Sequence, residues 1–168
     1  KVVVLHISNA GKHIFDKKYI DEIHALEKQY GIRAGFENRE KFVGSYMQKY
    51  TWDGDEFAAL MKKNDFQITL DTTHLAQADG DIIEFFKKYS SRIVNIHLSD
   101  YRDNIWNTSL RPFRFKHMAL GKGELLISAF LKTLREAKYQ GLITMEIHSD
   151  LPGICDSARI INETVHAK

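Results

Sequence analysis

Short apolar, β-branched runs alternate along the chain with longer stretches in which apolar residues recur every three or four positions. That alternation is the mark of βα units, whose parallel strands are covered on both faces and so read as near-continuous apolar runs. Residues 2–6 (VVVLH), 32–37 (IRAGFE), 66–71 (FQITLD), 92–97 (RIVNIH) and 142–146 (LITME) predict five strands. Helices are predicted over 16–30, 54–63, 81–89, 125–140 and 156–165. The first carries a stripe of Tyr19, Ile20, Ile23 and Leu26, with Asp16 as its cap and Gly31 as its stop. Phe57, Leu60 and Met61 form the inner side of the second, and Ile82, Ile83, Phe85 and Phe86 that of the third. These stripes are core and imply no cofactor. Gly141 is expected to close the fourth helix.

Between His97 and the helix that starts near Glu124 lie about 25 residues, far more than the usual few-residue βα connection. Connections of that length are functional or disordered. This one holds Tyr101, Trp106 and Phe113, which suit packing or a protein contact, and Arg102, Arg111 and Arg114, which suit solvation or a sugar phosphate. No glycine-rich phosphate loop follows any strand; Gly121 and Gly123 have no strand directly before them and are expected to shape the backbone entering the next helix, with Lys122 at the surface. Five βα units in series form either an open doubly wound sheet or most of a closed (β/α)8 barrel, in one domain spanning 1–168.

Bulk properties change this picture little. The 168 residues are 43% apolar and 27% charged, ordinary for a globular chain. A net charge of +2, from 24 basic and 22 acidic residues, supplies no field that would recruit nucleic acid or an anionic membrane. Cys155 alone cannot form an internal disulfide, and without a nearby basic partner in sequence it is a poor nucleophile. No apolar run is long enough to span a membrane, and the expected location is cytoplasmic. A strand that begins at Val2 behind Lys1 reads as a processed or truncated start.

The candidate chemistry sits at the strand ends. Each predicted strand ends in a side chain that binds metals or moves protons: His6, Glu37, Asp71, His97 and Glu146. Any one of them has an ordinary alternative. An acidic residue after a strand often caps the next helix, as Asp71 would beside Thr72 and Thr73, or simply meets solvent, as Glu37 and Glu146 would; His97 between Ile96 and Leu98 suits a hydrogen-bonded core position. Five consecutive strands aiming such groups at one rim is a different matter, because three carboxylates in one crevice need a cation. Glu37, Asp71, His97 and Glu146 offer three oxygens and one nitrogen, which suits Mn, Co, Mg or Zn without choosing among them.

With GFENR around Glu37, LDTTH from Leu70 to His74, NIHLSD from Asn95 to Asp100, HMALGKGEL from His117 and LITMEIH around Glu146, the chain resembles the xylose isomerase-like TIM barrel superfamily. That superfamily includes sugar and sugar-phosphate isomerases and epimerases, inosose-processing enzymes, and the endonuclease IV type of AP endonuclease. The resemblance covers essentially the whole chain and implies an α/β fold, a (β/α)8 barrel incomplete here, with about five βα units as barrel strands four to eight. It implies that Glu37, Asp71, His97 and Glu146 bind one divalent metal at the barrel mouth, with Glu37 and Glu146 as the catalytic pair that removes and returns a proton through an enediolate. The resemblance makes His74, His6 and His117 substrate-binding candidates; His74 matches a position that contacts substrate or a further metal, and His6 also matches an extra zinc ligand of endonuclease IV.

The expected function is therefore that of a divalent-metal-dependent sugar or sugar-phosphate isomerase or epimerase, active in carbohydrate metabolism on a small substrate. The alternative is an endonuclease IV-like zinc phosphodiesterase acting on abasic DNA, which would make nucleic acid a partner. That family carries an Asp two residues before the histidine matching His117, where this chain has Phe115. A non-catalytic barrel scaffold is the third reading. Strands one to three of the barrel are missing from the chain, so a homo-oligomer or completion by a missing N-terminal segment is expected, with a natural length of about 250 residues or more.

Overall fold

The computed structural model describes residues 1–7, 15–39, 54–102 and 116–165. Trp106, Arg111, Phe113, Arg114 and Phe115, singled out in the long connection, lie outside the described residues. Five strands, β1 (Val2–His6), β2 (Arg33–Glu37), β3 (Gln67–Asp71), β4 (Ile93–Leu98) and β5 (Leu142–Met145), lie side by side in chain order, and every pairing is parallel. The helices between them are α1 (Lys17–Tyr30), α2 (Gly54–Lys63), α3 (Thr72–Gln77), α4 (Ile82–Tyr89), α5 (Ile127–Glu136) and α6 (Leu151–Val165). The sheet curls into an open part of a (β/α)8 barrel, the expected fold class.

The apolar faces decide how the sheet sits. Phe36, Ile68, Leu70, Ile96 and Leu98 point outward and meet Phe57, Met61, Phe85, Phe86, Phe130 and Leu131 from the helices in one core. Ile93 also joins that core, although strict alternation would put it on the opposite face from Ile96. A register shift resolves this: Ile68 pairs with Ile93 but Thr69 pairs with Asn95, so Val94 is the extra residue of a bulge. Asn95 and His97 then share the inner face, where the Thr144 hydroxyl donates to Asn95 Oδ1 at 3.2 Å.

Four expectations change in detail. Asp71 opens a short helix, α3, unforeseen because six residues are too few for an apolar stripe. Helix α6 begins at Leu151 instead of Asp156: Asp150 Oδ1 accepts the Gly153 N–H, and Pro152 sits in the first turn, where its missing donor costs nothing. Helix α5 ends at Glu136, before Gly141, because Lys138 takes the left-handed conformation at φ 51°. On α1, Ile20 and Ile23 pack against the core while Tyr19 and Leu26 stay exposed. Among the described residues β1 pairs with β2 alone, and Val3 on β1 and Tyr30 at the end of α1 are also exposed. The β5 edge likewise leaves Leu142, Leu151 and Ile154 exposed. Among the described residues no helix is long and apolar enough to cross a membrane.

Two polar devices fix elements around this frame. Asp100, fully buried, accepts four backbone N–H groups, from Tyr101, Gly121, Gly123 and Leu125, and its own backbone exchanges two 2.9 Å hydrogen bonds with Met118. Gly123 is glycine because a Cβ there would land on the Asp100 carboxylate and the Tyr101 carbonyl. On the other flank, His24 stacks on Phe66 and places Nδ1 2.8 Å from Glu27 Oε2 and Nε2 3.0 Å from the Asn64 carbonyl. Both partners are acceptors, so only the imidazolium satisfies both. Burial works to lower the His24 pKa, but the hydrogen bonds to Glu27 and Asn64 and the charges of Glu27 and Asp65 outweigh it and raise it.

Asp100→Ala is expected to cost about 3 kcal/mol or more, since it strands buried amide donors; a denaturant melt within about 1 kcal/mol of wild type would contradict the role. His24 supplies stability that is fully present below its unfolded value of 6.5 and is lost as pH rises through the higher folded value. The stability gap between wild type and His24→Ala should therefore shrink from about pH 5.5 to about pH 8.5, and a gap that is flat or widens would refute the clamp.

Candidate metal centre

Parallel pairing puts the ends of all five strands on one rim. His6 pairs with Glu37 and Asp71 with His97, while the Glu146 N–H donates to the Leu98 carbonyl and so prolongs the β4–β5 pairing by one residue. One ligand-type atom each from Glu37, Asp71, His97 and Glu146 lies within 4.8 Å of the others. The sequence named these four, and the structure brings them together.

Their mutual geometry is not that of a hydrogen-bonded network. His97 Nδ1 lies 2.5 Å from Glu146 Oε2 and 3.1 Å from Glu37 Oε2, yet Asp71 Oδ2, His97 Nδ1 and Glu146 Oε2 are all buried without a hydrogen-bond partner. Buried polar atoms are nearly always satisfied, yet Asp71 Oδ2 has no hydrogen-bond partner while His97 Nδ1 and Glu146 Oε2 meet only as a close ion pair, an arrangement that fits a shared cation. Electrostatics give the same answer. Burial pushes the Asp71 carboxyl up to about 7 despite the opposing charge of His74. Burial also acts on His97 and Glu37, but is outweighed: the carboxylates of Glu146 and Glu37 raise His97 to about 10, while His74 and His97 hold Glu37 well below the usual carboxylate range. Glu146 is lowered by His97 against the effect of burial. Without an ion the cluster thus favours the neutral form of Asp71 and the charged form of His97, and a divalent ion would compete with both protons.

The three other expected residues line the same rim. His6 Nε2 sits 2.8 Å from Glu37 Oε2 with most of its side chain exposed. His74, in the first turn of α3, places Nδ1 3.1 Å from Glu37 Oε1, and its ring meets His117 edge-on with centroids 5.2 Å apart. His117 is buried at φ 50°, and together with Asp71 and His74 it forms a second group of metal-capable atoms. Burial and the charge of His74 lower its pKa. Asp71 has one oxygen for each role: Oδ1 caps α3 by accepting the His74 N–H at 2.7 Å, while Oδ2 lies with the cluster.

Several supporting residues were not foreseen. Asn38 bonds the Asp71 backbone twice. Thr72 Oγ1 donates to the Ser99 carbonyl, Thr73 Oγ1 lies 2.8 Å from Ser99 Oγ, and Ser99 Oγ lies 3.3 Å from His117 Nδ1. The His148 N–H donates to the His117 carbonyl at 2.6 Å, and the two rings are 5.4 Å apart. The available signal was small polar residues directly beside ligand positions, in GFENR, LDTTH and NIHLSD. In the long connection, Arg102 donates to the Lys122 carbonyl and lies 3.7 Å from Glu124, a surface role. Cys155 is exposed.

Residues 12–165 match the family model described as xylose isomerase-like TIM barrel. An inosose dehydratase of Clostridium botulinum is 27% identical over 152 residues, 83% of this chain and 51% of its own length. One from Clostridium perfringens is 23% identical over 158 residues, 82% of this chain and 52% of its own. The chain thus spans about half the length of these curated relatives. Among solved structures, a D-tagatose 3-epimerase-like protein superposes with a TM-score of 0.67 at 24% identity, covering 98% of this chain and 62% of its own. The IOLI protein with a binding zinc atom superposes at 0.62 and 17% identity, covering 98% and 61%. At such identities these neighbours speak for the fold alone. The match of the family model over nearly the whole described chain, on a parallel sheet whose strand ends converge, places it: this chain belongs to the xylose isomerase-like TIM barrel family.

Proposed function

We propose that this chain carries the metal centre of an enzyme that moves a proton at a carbon beside the carbonyl of a sugar or sugar phosphate. The observation that carries the reading is the convergence of Glu37, Asp71, His97 and Glu146, with Asp71 Oδ2 buried and unsatisfied, on one rim of a parallel sheet. These four residues would hold one divalent ion, Mn, Co, Mg or Zn, which when bound supplies Lewis-acid stabilisation of negative charge on a substrate oxygen. The zinc atom bound by the IOLI protein supports zinc as one candidate.

The two glutamates divide the proton work by their placement. Glu146 keeps 40% of its side chain exposed and reaches the opening, whereas Glu37 is 2% exposed and gripped by His6, His74 and His97. Both are held ionised by neighbouring histidines, so both are acceptors at neutral pH. Glu146 takes the proton from the substrate carbon, and Glu37, which must itself take up a proton before the return step, is its counterpart for return. Return to the opposite face of the same carbon inverts it; return to the neighbouring carbon isomerises. His74, His117 and His6 orient substrate hydroxyls around the rim.

The inosose dehydratase relatives favour a second reading with the same first step, in which loss of a hydroxyl as water follows proton removal. The two part at the product, since epimerisation and isomerisation keep the mass.

Elemental analysis of the whole protein, including any segment preceding Lys1, should find about one divalent ion per chain, reduced by Glu146→Gln. In deuterium oxide, a panel of ketohexoses, pentuloses and inososes should show deuterium entering beside the carbonyl of an accepted substrate. Glu146→Gln should lower that rate by about 10²- to 10⁴-fold. Product lighter by one water moves the assignment to a dehydratase; about three zincs with cleavage of abasic DNA moves it to the endonuclease. No ion under any loading condition refutes the metal reading altogether.

A further inference from the structure

We propose that Asn38 is a positioning residue that sets the metal affinity of the cluster by locking the end of β2 to the Asp71 peptide; this rests on reading Glu37, Asp71, His97 and Glu146 as a metal centre. Asn38 is the first residue beyond β2 and is 3% exposed. Its backbone N–H donates to the Thr69 carbonyl at 3.4 Å, at the point where the β2–β3 register ends with Glu37 beside Thr69. Past that point the side chain takes over. Nδ2 donates to the Asp71 carbonyl at 3.0 Å, and Oδ1 accepts the Asp71 N–H at 2.7 Å. The orientation of the amide is dictated, because a peptide N–H only donates and a peptide carbonyl only accepts.

One planar group therefore supplies the rung that the backbone ladder lacks, and it ties the residue after Glu37 to Asp71 itself. The carbonyl of Asn38 extends the tie to a third rim residue by accepting from His74 Nδ1 at 3.1 Å. Glu37 Oε1 lies 3.1 Å from the same nitrogen, so the His74 ring is held between neighbours on one strand end. The residue thus fixes the spacing between two carboxylate-bearing strand ends and the seat of His74, and it does so without adding charge.

Few side chains can do this. Alanine would leave the N–H and C=O of a fully buried Asp71 unpaired, and serine is too short to meet both. Aspartate keeps the acceptor for the Asp71 N–H but sets a second oxygen against the Asp71 carbonyl. That makes aspartate the informative replacement. If residue 38 acted through electrostatics alone, an added negative charge would tighten cation binding; a positioning role predicts that it weakens it.

The test is calorimetric titration of the metal-stripped whole protein with Co²⁺, with folding followed by circular dichroism. Asn38→Ala should raise the Kd for Co²⁺ by about 10- to 100-fold, the usual cost of losing a group that orients ligands. Leu134→Ala, in the core between α5 and the sheet, serves as a control: it lowers the melting temperature but should leave the Kd unchanged. Asn38→Asp should also bind more weakly than wild type, and it carries the test by itself if Asn38→Ala does not fold. An Asn38→Ala Kd within about twofold of wild type, or tighter binding by Asn38→Asp, overturns the proposal. A wild-type protein that takes up no Co²⁺, Mn²⁺ or Zn²⁺ instead removes the metal centre on which it stands.

Discussion

Parallel register is the constraint on which the rest of this molecule depends. Because every strand runs the same way, residues at their C-terminal ends meet on one rim, and Asp71 beside His97 or His6 beside Glu37 is a consequence of register before it is a matter of chemistry. A slip of one residue in β3 would turn Asp71 outward among the helices and bring Leu70 to the rim. The packing of Ile68, Leu70, Ile96 and Leu98 against the helices therefore also holds the cluster in place. The Val94 bulge serves both demands at once, letting Ile93 and Ile96 reach the core while Asn95 and His97 stay on the inner face.

What that register assembles is electrostatically costly. Glu37 and Asp71 are almost wholly buried, and a third carboxylate, Glu146, stands close by. Like charges in a low-dielectric site repel unless countercharge is present; burial therefore disfavours charge on Asp71, and the carboxylates favour the charged form of His97. The supporting groups are mostly neutral: the amide of Asn38, the hydroxyls of Thr72, Thr73 and Ser99, and backbone N–H groups. Neutral partners fix geometry without altering the charge balance that a bound cation would complete. The buried Asp100 carboxyl accepts from four amides of its own loop and takes no part in the cluster's group of metal-capable atoms.

Much of this was legible from the sequence because strand ends are easy to find in apolar β-branched runs and because ionisable residues stand out against them. All five strands and the four clustered residues were read directly. Three kinds of information were not available. Length hid α3, whose six residues carry no helical stripe. Edge position hid the exposure of Tyr19 and Leu26, since an amphipathic stripe does not say whether a partner exists on both sides. Pairing hid the role of Asn38, Ser99 and Asp100: each is an ordinary loop residue by composition, and only the juxtaposition of two strand ends makes it a support.

Asp71 shows why such roles resist separation. As a helix cap and as a member of the cluster it seemed to offer alternatives, yet the two oxygens of one carboxylate face in two directions, Oδ1 to the His74 N–H and Oδ2 to the rim. Burial disfavours charge on this group, and the capping hydrogen bond from His74 partly restores it. The cap also decides where α3 begins, and with it the direction in which His74 leaves the first turn. Asn38 holds the Asp71 peptide from behind, so strand end, cap and rim histidine form one unit. Disturbing any of the three should be felt at the other two, which is why the position of a neutral amide can matter as much to this cluster as the carboxylates themselves.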